Sequence, residues 1–224
     1  MKSLSHRDFI EASYSKEWAF TSAERIRARI LARLSEGSRD ILDLGCYNGR
    51  IAQFLKPAAS SLIGTDLSFE ALKSAQRKGV VCIQADASLA IPFKTGVFDC
   101  VVAAELIEHI FDLDTFMDEI KRVLKKGGSL VISTPNLASL GRRFYLLAGK
   151  NPLIEIESAR DSVGHIRYFV KETLFRLLRK HGFRIRFFSS DVVNFDNSGE
   201  RFSRILARLL PGFGKSLIVK AINE

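Results

Sequence analysis

Residues 40–50 read DILDLGCYNGR, a short apolar stretch that runs through an acid, Asp43, into a turn with glycines four apart at Gly45 and Gly49. Glycines at such a turn clear side chains away from backbone that something approaches closely, and they adopt φ values that other residues avoid. A second acid, Asp66, ends the next apolar stretch, SLIGTD, twenty-one residues beyond Gly45. An acid placed there can accept from the two hydroxyls of a ribose, or it can cap the helix that SFEALKSAQ would form. Farther along, ELIEHI brings Glu105, Glu108 and His109 together, and GHIRYF adds His165. Imidazoles and carboxylates in such a group suit proton transfer near neutral pH, or a divalent cation.

These residues need elements to hold them, and the hydrophobic pattern supplies an alternation of strands and helices. Strands are expected at DILDLG, SLIGTD, VVCIQAD, FDCVVAAE and SLVISTP, each short, rich in Val, Ile and Leu, and followed by a polar or glycine turn. Helices are expected at SAERIRARILARLSEG, with Ile26, Ile30, Leu31 and Leu34 at helical spacing, and at GRIAQFLKP, SFEALKSAQRKG and DLDTFMDEIKRVLKKGG. Such alternation implies right-handed βαβ crossovers and a parallel sheet covered on both faces, an α/β fold. After STPN the pattern changes. An amphipathic helix LASLGRRFYLLAG is followed by a helix VKETLFRLLRKHG and by two strands, FRIRFFSS and SLIVKAIN, that can add a pair at one sheet edge. The insert SGERFSRILARLLPGFG places Phe202, Ile205, Leu206 and Leu209 on one stripe and reads as a docked helix rather than a membrane anchor.

With 224 residues, 46% of them hydrophobic, the chain can bury one sizeable core, and we expect a single domain. Cys46, Cys82 and Cys100 show neither metal-ligand spacing nor a pairing pattern, and read as reduced thiols of a cytoplasmic protein. No signal-peptide core and no run of about 18 apolar residues occurs, so neither export nor a membrane span is expected. The net charge of +9 is uneven: residues 1–40 carry 8 basic and 6 acidic side chains, residues 41–136 carry 10 and 11, and residues 137–224 carry 16 and 8. A basic C-terminal third suits an anionic partner, whether a phosphorylated substrate, a nucleic acid or an acidic membrane surface, and equally a solvated face.

In an open α/β sheet the turn after the first strand usually cradles a cofactor. A dinucleotide wants G-x-G-x-x-G, and reading from Gly45 this chain has Tyr47 and Arg50 in place of the second and third glycines. S-adenosylmethionine is the alternative, with a carboxylate suited to a helix N-terminus and a ribose for Asp66. The combination resembles the class I S-adenosylmethionine-dependent methyltransferases, in the broad branch that includes ubiquinone-pathway O-methyltransferases. ILDLGCYNG is similar to their first motif, D/E-x-G-x-G-x-G, through Asp43, Gly45 and Gly49, with Tyr47 at the central glycine. GTDLS matches the ribose-binding acid, Asp66 with Leu67 beside it, and QADASLAIPF the adenine-side motif, with Asp86 and Ala87. FDCVVAAELIEHI resembles the fourth strand and the loop that faces the sulfonium, where Ala104 and Glu105 would sit. The resemblance runs over residues 40–136 and more loosely beyond. It implies a Rossmann-like fold with a mostly parallel seven-stranded sheet, an antiparallel edge strand and helices on both faces. It divides the chain into an N-terminal helical cap (1–39), a cofactor-binding core (40–136) and an acceptor-side lid with sheet completion (137–224).

Methyl transfer to a hydroxyl needs a base, and the resemblance puts His109 and His165 where the acceptor should be. The E-x-x-E-H group also resembles the metal motif of plant small-RNA 2′-O-methyltransferases and some ubiquinone-pathway enzymes, with His165 as a further ligand; histidines and carboxylates of this kind also cap helices and back cofactors, and no metal site is assigned. The N/D-P-P-Y motif of amino-group methylation is absent where AELIEH stands. Arg142, Arg143 and Lys150 in the expected lid could read an anionic group. The expected function is O-methylation of a small-molecule, lipid-linked or glycan acceptor, with peripheral membrane contact open and nucleic acid disfavoured. An RNA methyltransferase that uses the basic third and a non-catalytic donor-binding module are the alternatives.

Overall fold

The computed structural model describes residues 20–152, 154, 164–195 and 201–224, so most of the expected N-terminal cap ahead of Phe20 lies outside the described residues. Helix α1 (Ser22–Leu34) opens on a capping box: the Thr21 hydroxyl accepts from the Glu24 amide at 3.2 Å, and the Glu24 carboxylate accepts from the Thr21 amide at 2.7 Å. Two of the four orphan amides of a helix start are thereby satisfied. Of the expected stripe of Ile26, Ile30, Leu31 and Leu34, Leu31 is fully buried and Ile30 and Leu34 pack partly buried against the same core, while the fully buried face also takes in Ala23, Arg27 and Ala28. The small alanines let the helix lie close to the sheet, and the arginine goes in with them.

The strands β1 (Asp40–Leu44), β2 (Ser61–Asp66), β3 (Val81–Gln84), β4 (Phe98–Ala104) and β5 (Leu124–Pro135) pair in parallel, and the last pair, β6 (Phe183–Ser189) and β9 (Ser216–Asn223), completes one seven-stranded sheet in the order β3-β2-β1-β4-β5-β9-β6. Strand β9 runs antiparallel to both β5 and β6. Side chains alternate across the central strands. Leu42, Leu44, Val101, Ala103, Leu130 and Ile132 face one layer with Phe116, Met117 and Ile120 of α4 (Leu113–Val123) and Leu174 and Leu178 of α6 (Lys171–Lys180). Ile41, Cys100, Val102, Val131 and Ile218 face the other, with Leu31 of α1 and Leu55 of α2 (Ala52–Leu55). Each large apolar side chain buried in this way contributes about 1.5–3 kcal/mol, which is why the period-2 pattern fixes the register.

Two expectations shift in detail and one holds. The helix after Gly49 is four residues long, because Pro57 turns its end into a 3₁₀ stretch, Lys56–Ala58. The helix α3 (Phe69–Arg77) forms as read, capped by the Ser68 hydroxyl on the Ala71 amide at 3.2 Å. The insert does not dock along its expected stripe: Phe202 belongs to β8 (Phe202–Ser203), paired with β7 (Val193–Asn194). The helix α7 (Arg204–Leu209) buries Ala207 while Ile205 and Leu209 stay exposed. A six-residue helix has too few turns to hide a full apolar face.

Candidate active site at the carboxyl ends of the strands

The order of the strands reverses between β1 and β4, and the crevice at that switch point is where ligands enter such sheets. Along the same edge lie the ends of β1, β2, β4 and β5, because Asp43 pairs with Gly64 and Val102, and Ala104 with Ser133. The turn after β1 therefore opens beside Asp66 on one side and beside the loop after β4 on the other.

Gly45, Tyr47 and Gly49 all have left-handed backbone, with φ of +74°, +49° and +75°. At the glycines the cleared space is filled by protein. A Cβ on Gly45 would meet the Leu106 side chain at 3.0 Å, and one on Gly49 would meet Ala75 of α3 at 3.0 Å and Val80 at 3.3 Å. The glycines thus let a loop and a helix pack onto the turn, which shapes the crevice. Tyr47 accepts the strained conformation that glycine would take at no cost, a penalty of about 1–2 kcal/mol. Its amide donates to Asp66 Oδ2 at 2.8 Å, which pins the turn, while Asp66 Oδ1 accepts from the Ser68 amide at 2.9 Å.

Several polar atoms at this turn are buried with no hydrogen-bond partner among the described residues: Asp43 Oδ2, both side-chain polar atoms of Asn48 and Thr65 Oγ1. Such groups cost about 1–3 kcal/mol each unless a ligand or water meets them, so the turn is suited to a polar ligand. Burial, and then the nearby Asp66 carboxylate, push the Asp43 carboxyl up to about 7. Raised above its unfolded value of 3.8, this group contributes stability below about pH 4 that is lost as pH rises through about 7. We expect Asp43→Asn to remove that slope, so that the melting temperature falls less between pH 5 and pH 8 than in the wild type. A pH series of thermal melts in which both proteins fall equally would refute it. Leu67 is half-buried and its carbonyl accepts from Gln84 Nε2 at 2.8 Å, while Asp86 Oδ1 accepts from the Ser88 amide at 2.9 Å and hydroxyl at 2.5 Å. Ala87 packs against the sheet core, and Ala104 is buried at the end of β4.

On the β4–β5 side the expected residues come together. Glu105 has φ +52°, an unusual value for a residue with a side chain, and is held there by Ser133, whose carbonyl accepts the Glu105 amide at 2.9 Å and whose hydroxyl donates to Glu105 Oε1 at 2.9 Å. The segment through His165 crosses the 3₁₀ turn Ile107–His109, because the Ile166 and Arg167 amides donate to the Glu108 carbonyl at 3.1 and 3.2 Å. The His109 and His165 rings lie 4.9 Å apart, and His165 Nε2 is 3.8 Å from Glu108 Oε1. His109 Nδ1 lies 3.2 Å from the Gly164 carbonyl. A carbonyl can only accept, so Nδ1 is the donor in this contact. Glu108 is buried; one oxygen accepts from the Thr134 hydroxyl at 3.0 Å and the other, Oε1, has no hydrogen-bond partner among the described residues. Burial, and then Glu105, raise its pKa well above the ordinary glutamate range. One ligand atom each from Glu108, His109 and His165 fall within 4.8 Å of one another.

Sequence reading missed the charges beneath this cluster. Arg27 of α1 is buried, with Nη1 3.2 Å from Glu105 Oε2, 3.8 Å from Asp191 Oδ2 and 3.3 Å from the Ser216 hydroxyl. Burial alone would lower its pKa, but Glu105 and Asp191 outweigh burial and hold it above the usual value. The only hint in the sequence was an arginine set among alanines on one helix face. Of the three lid cations, Arg142 alone turns inward. It lies 6.0 Å from the Tyr168 ring with Nη1 buried and without a hydrogen bond, and burial lowers its pKa. Arg143 instead lies over Phe213, and Lys150 is exposed.

This arrangement agrees with comparisons to known proteins. A family model for the methyltransferase domain matches residues 15–186. The mitochondrial ubiquinone biosynthesis O-methyltransferase of Homo sapiens is 30% identical over 157 residues, 65% of this chain and 42% of that protein. The ubiquinone biosynthesis O-methyltransferase of Chelativorans sp. is 31% identical over 51% of this chain and 50% of its own length. The chain therefore spans half or less of these ubiquinone-pathway relatives, but 70% of the O-methyltransferase resE of Aspergillus sclerotiorum, which is 29% identical over 194 residues and 80% of this chain. Among solved structures, the N-methyltransferase NodS of Bradyrhizobium japonicum, bound to S-adenosyl-L-homocysteine, superposes with a TM-score of 0.66 at 19% identity over 96% of both chains. An S-adenosylmethionine-dependent methyltransferase of Mesorhizobium loti gives 0.61 at 20% identity over 90% of this chain and 98% of that one, which supports the shared fold. Because the family match takes in more than half of the chain and every strand from β1 to β5 together with the loops that carry the site, the chain belongs to the methyltransferase domain family.

Proposed function

We propose that the chain transfers a methyl group from S-adenosylmethionine to a hydroxyl oxygen of a small-molecule acceptor, and that it does so in the cytoplasm. The donor supplies a methyl group already activated on a sulfonium, so the chain's part is to bind, orient and deprotonate. Asp66 would hold the ribose hydroxyls, Leu67, Asp86 and Ala87 the adenine side, and Asp43 with the turn from Gly45 to Gly49 the methionine end. Ala104 closes the crevice behind the reacting centre. Alignment of this kind, with water excluded, can supply roughly 7–11 kcal/mol of a barrier.

The observation that carries the oxygen assignment is the pair of imidazoles beside Glu108, with the His109 ring oriented by its Nδ1 contact to the Gly164 carbonyl. An imidazole is matched to a hydroxyl proton near neutral pH, and a positioned base contributes about 10²–10⁴-fold. Glu108, His109 and His165 also fit a divalent cation, since Glu108 Oε1 is a buried oxygen with no hydrogen-bond partner among the described residues; such an ion would lower the pKa of an acceptor hydroxyl. Two finer readings follow. The acceptor carries an anionic group, because the inward Arg142 guanidinium has an unfilled buried donor and no carboxylate among the described residues within ion-pair distance. It is lipid-linked or glycan-like, a reading supported by the basic C-terminal third, with 16 basic and 8 acidic side chains over residues 137–224.

The test begins with calorimetric titration of the purified protein with S-adenosylmethionine and, separately, NAD, followed by transfer of labelled methyl from the donor to a panel of phenolic, quinol and glycan acceptors. His109→Ala and His165→Ala are each expected to lower turnover by about 10²–10⁴-fold with donor affinity unchanged. Donor binding with no transfer to any acceptor would make the chain a donor-binding module, and loss of donor affinity in the histidine variants would move them out of the acceptor site.

A further inference from the structure

The apolar residues that the structure leaves outside are not scattered. Helix α5 (Leu140–Leu147) buries none of its side chains; Phe144 is 62% exposed and Leu147 84%. On α7, Ile205 and Leu209 are 73% and 70% exposed. The two helices belong to one surface. Both pack on β7, and Arg143 of α5 stacks 4.8 Å from the ring of Phe213, in the turn that follows α7. Isolated exposed apolar side chains are ordinary, but a contiguous set on neighbouring helices marks a surface that meets something.

Among the described residues of α5, α7 and the segments beside them, the charges share one sign. Segments 137–152 and 201–215 contain no aspartate or glutamate, and the acids between them in sequence that are nearest to α7, Asp196 and Glu200, lie outside the described residues. Arg143, Lys150, Arg204 and Arg208 are exposed, and none is in an ion pair among the described residues. A second copy of the chain docked here about a two-fold axis would bring these cations face to face, at a Coulombic cost. An acidic membrane surface would instead meet them with opposite charge, while their aliphatic stems extend along the apolar residues. Neither helix is long enough to span a bilayer, and no described helix is. On α5 Arg143 and Leu147 stand one turn apart, and on α7 Ile205 and Leu209 stand next to Arg204 and Arg208, so apolar and basic side chains would meet the plane of the interface together.

We propose that the face formed by α5, α7 and the turn at Phe213 docks onto anionic lipid bilayers, with Phe144, Leu147, Ile205 and Leu209 inserted among the acyl chains. Binding itself does not depend on methyl transfer. One consequence does rest on that reading: Arg142, on the inward side of α5, would then lie one helix away from the bilayer, so that an amphiphilic acceptor could enter the site from the lipid side.

The test is flotation of the full chain with vesicles of phosphatidylcholine alone and with about 30% phosphatidylglycerol, at about 0.05 M and 0.5 M salt, without donor. The chain should float with the anionic vesicles at low salt and be released at high salt. The Phe144→Ser/Leu147→Ser/Leu209→Ser variant should lose about tenfold or more of its partitioning, and Arg204→Gln/Arg208→Gln should bind more weakly with a reduced salt effect. Donor affinity, measured on the same variants, should not change, which separates loss of this surface from loss of the fold or of the donor site. Equal partitioning of wild type and triple variant, or indifference to lipid charge, would overturn the proposal. So would failure to float combined with a dimer in sedimentation that the triple variant abolishes, which would make the face a contact between copies.

Discussion

Asp66→Ala should weaken S-adenosylmethionine binding by about 1.5–3 kcal/mol, roughly tenfold to 150-fold, the scale for hydrogen bonds to a charged group. The structure adds reasons for a large effect. Asp66 is almost fully buried, and its two oxygens hold the amides of Tyr47 and Ser68. Its loss would release the left-handed turn at Tyr47 and remove the negative charge that helps push Asp43 up to about 7. The pH dependence of stability should then weaken along with donor affinity, two readouts of one side chain. Asp66→Asn keeps an acceptor but not the charge and should fall between. Calorimetry on the three proteins decides the matter: an unchanged donor affinity in Asp66→Ala would remove this residue from the donor site.

Arg27→Met is expected to destabilise the fold by about 3–5 kcal/mol, because it strands the partners of a buried cation. Asp191 is also fixed by the Val192 amide at 2.8 Å and by the Ser216 amide and hydroxyl at 3.1 and 3.0 Å, so it cannot turn out to water. Glu105 is held by Ser133. Both carboxylates would stay in place without their cation. In a Glu105→Gln background the same change should cost less, with a coupling of about 0.5–3 kcal/mol. Urea unfolding at neutral pH measures each corner of this cycle. A loss below about 1 kcal/mol, or strict additivity, would show that Arg27 and Glu105 do not act as a buried pair. Glu105 lies in the loop that runs into Glu108 and His109, so the cycle also asks whether α1 supports the acceptor side from below.

Much of this protein was decided locally. Asp43, Gly45, Asp66 and the alternation of short apolar stretches with helical ones were legible because each depends on neighbours within a few positions. Strand period, turn chemistry and a capping serine are read from adjacent residues. That the first five strands run parallel followed from their alternation with helices, and the site was expected at their carboxyl ends. The pairing of His109 with His165 was expected only through resemblance. What puts the rings 4.9 Å apart is a set of backbone hydrogen bonds between Glu108 and residues more than fifty positions away.

Other features belong to the tertiary structure alone. The face α1 buries is set by the sheet it meets, which takes Ala23, Arg27 and Ala28 fully inside beside Leu31 and leaves Ile26 and Ile30 only partly buried, because Glu105 and Asp191 wait there for a cation. What fills the space at Gly45 and Gly49 was likewise invisible, since Leu106 and Ala75 come from other parts of the chain. Of three lid cations with equal standing in the sequence, only Arg142 turns inward, and the exposed stripe on α7 follows from a strand pair that uses Phe202 and leaves too short a helix to bury the rest. Residue types and spacing determined the chemistry this chain can hold and the scaffold that carries it. Which charges meet, and which apolar side chains stay outside, was decided by packing between segments distant in sequence, where burial makes each unmatched charge too costly to leave alone.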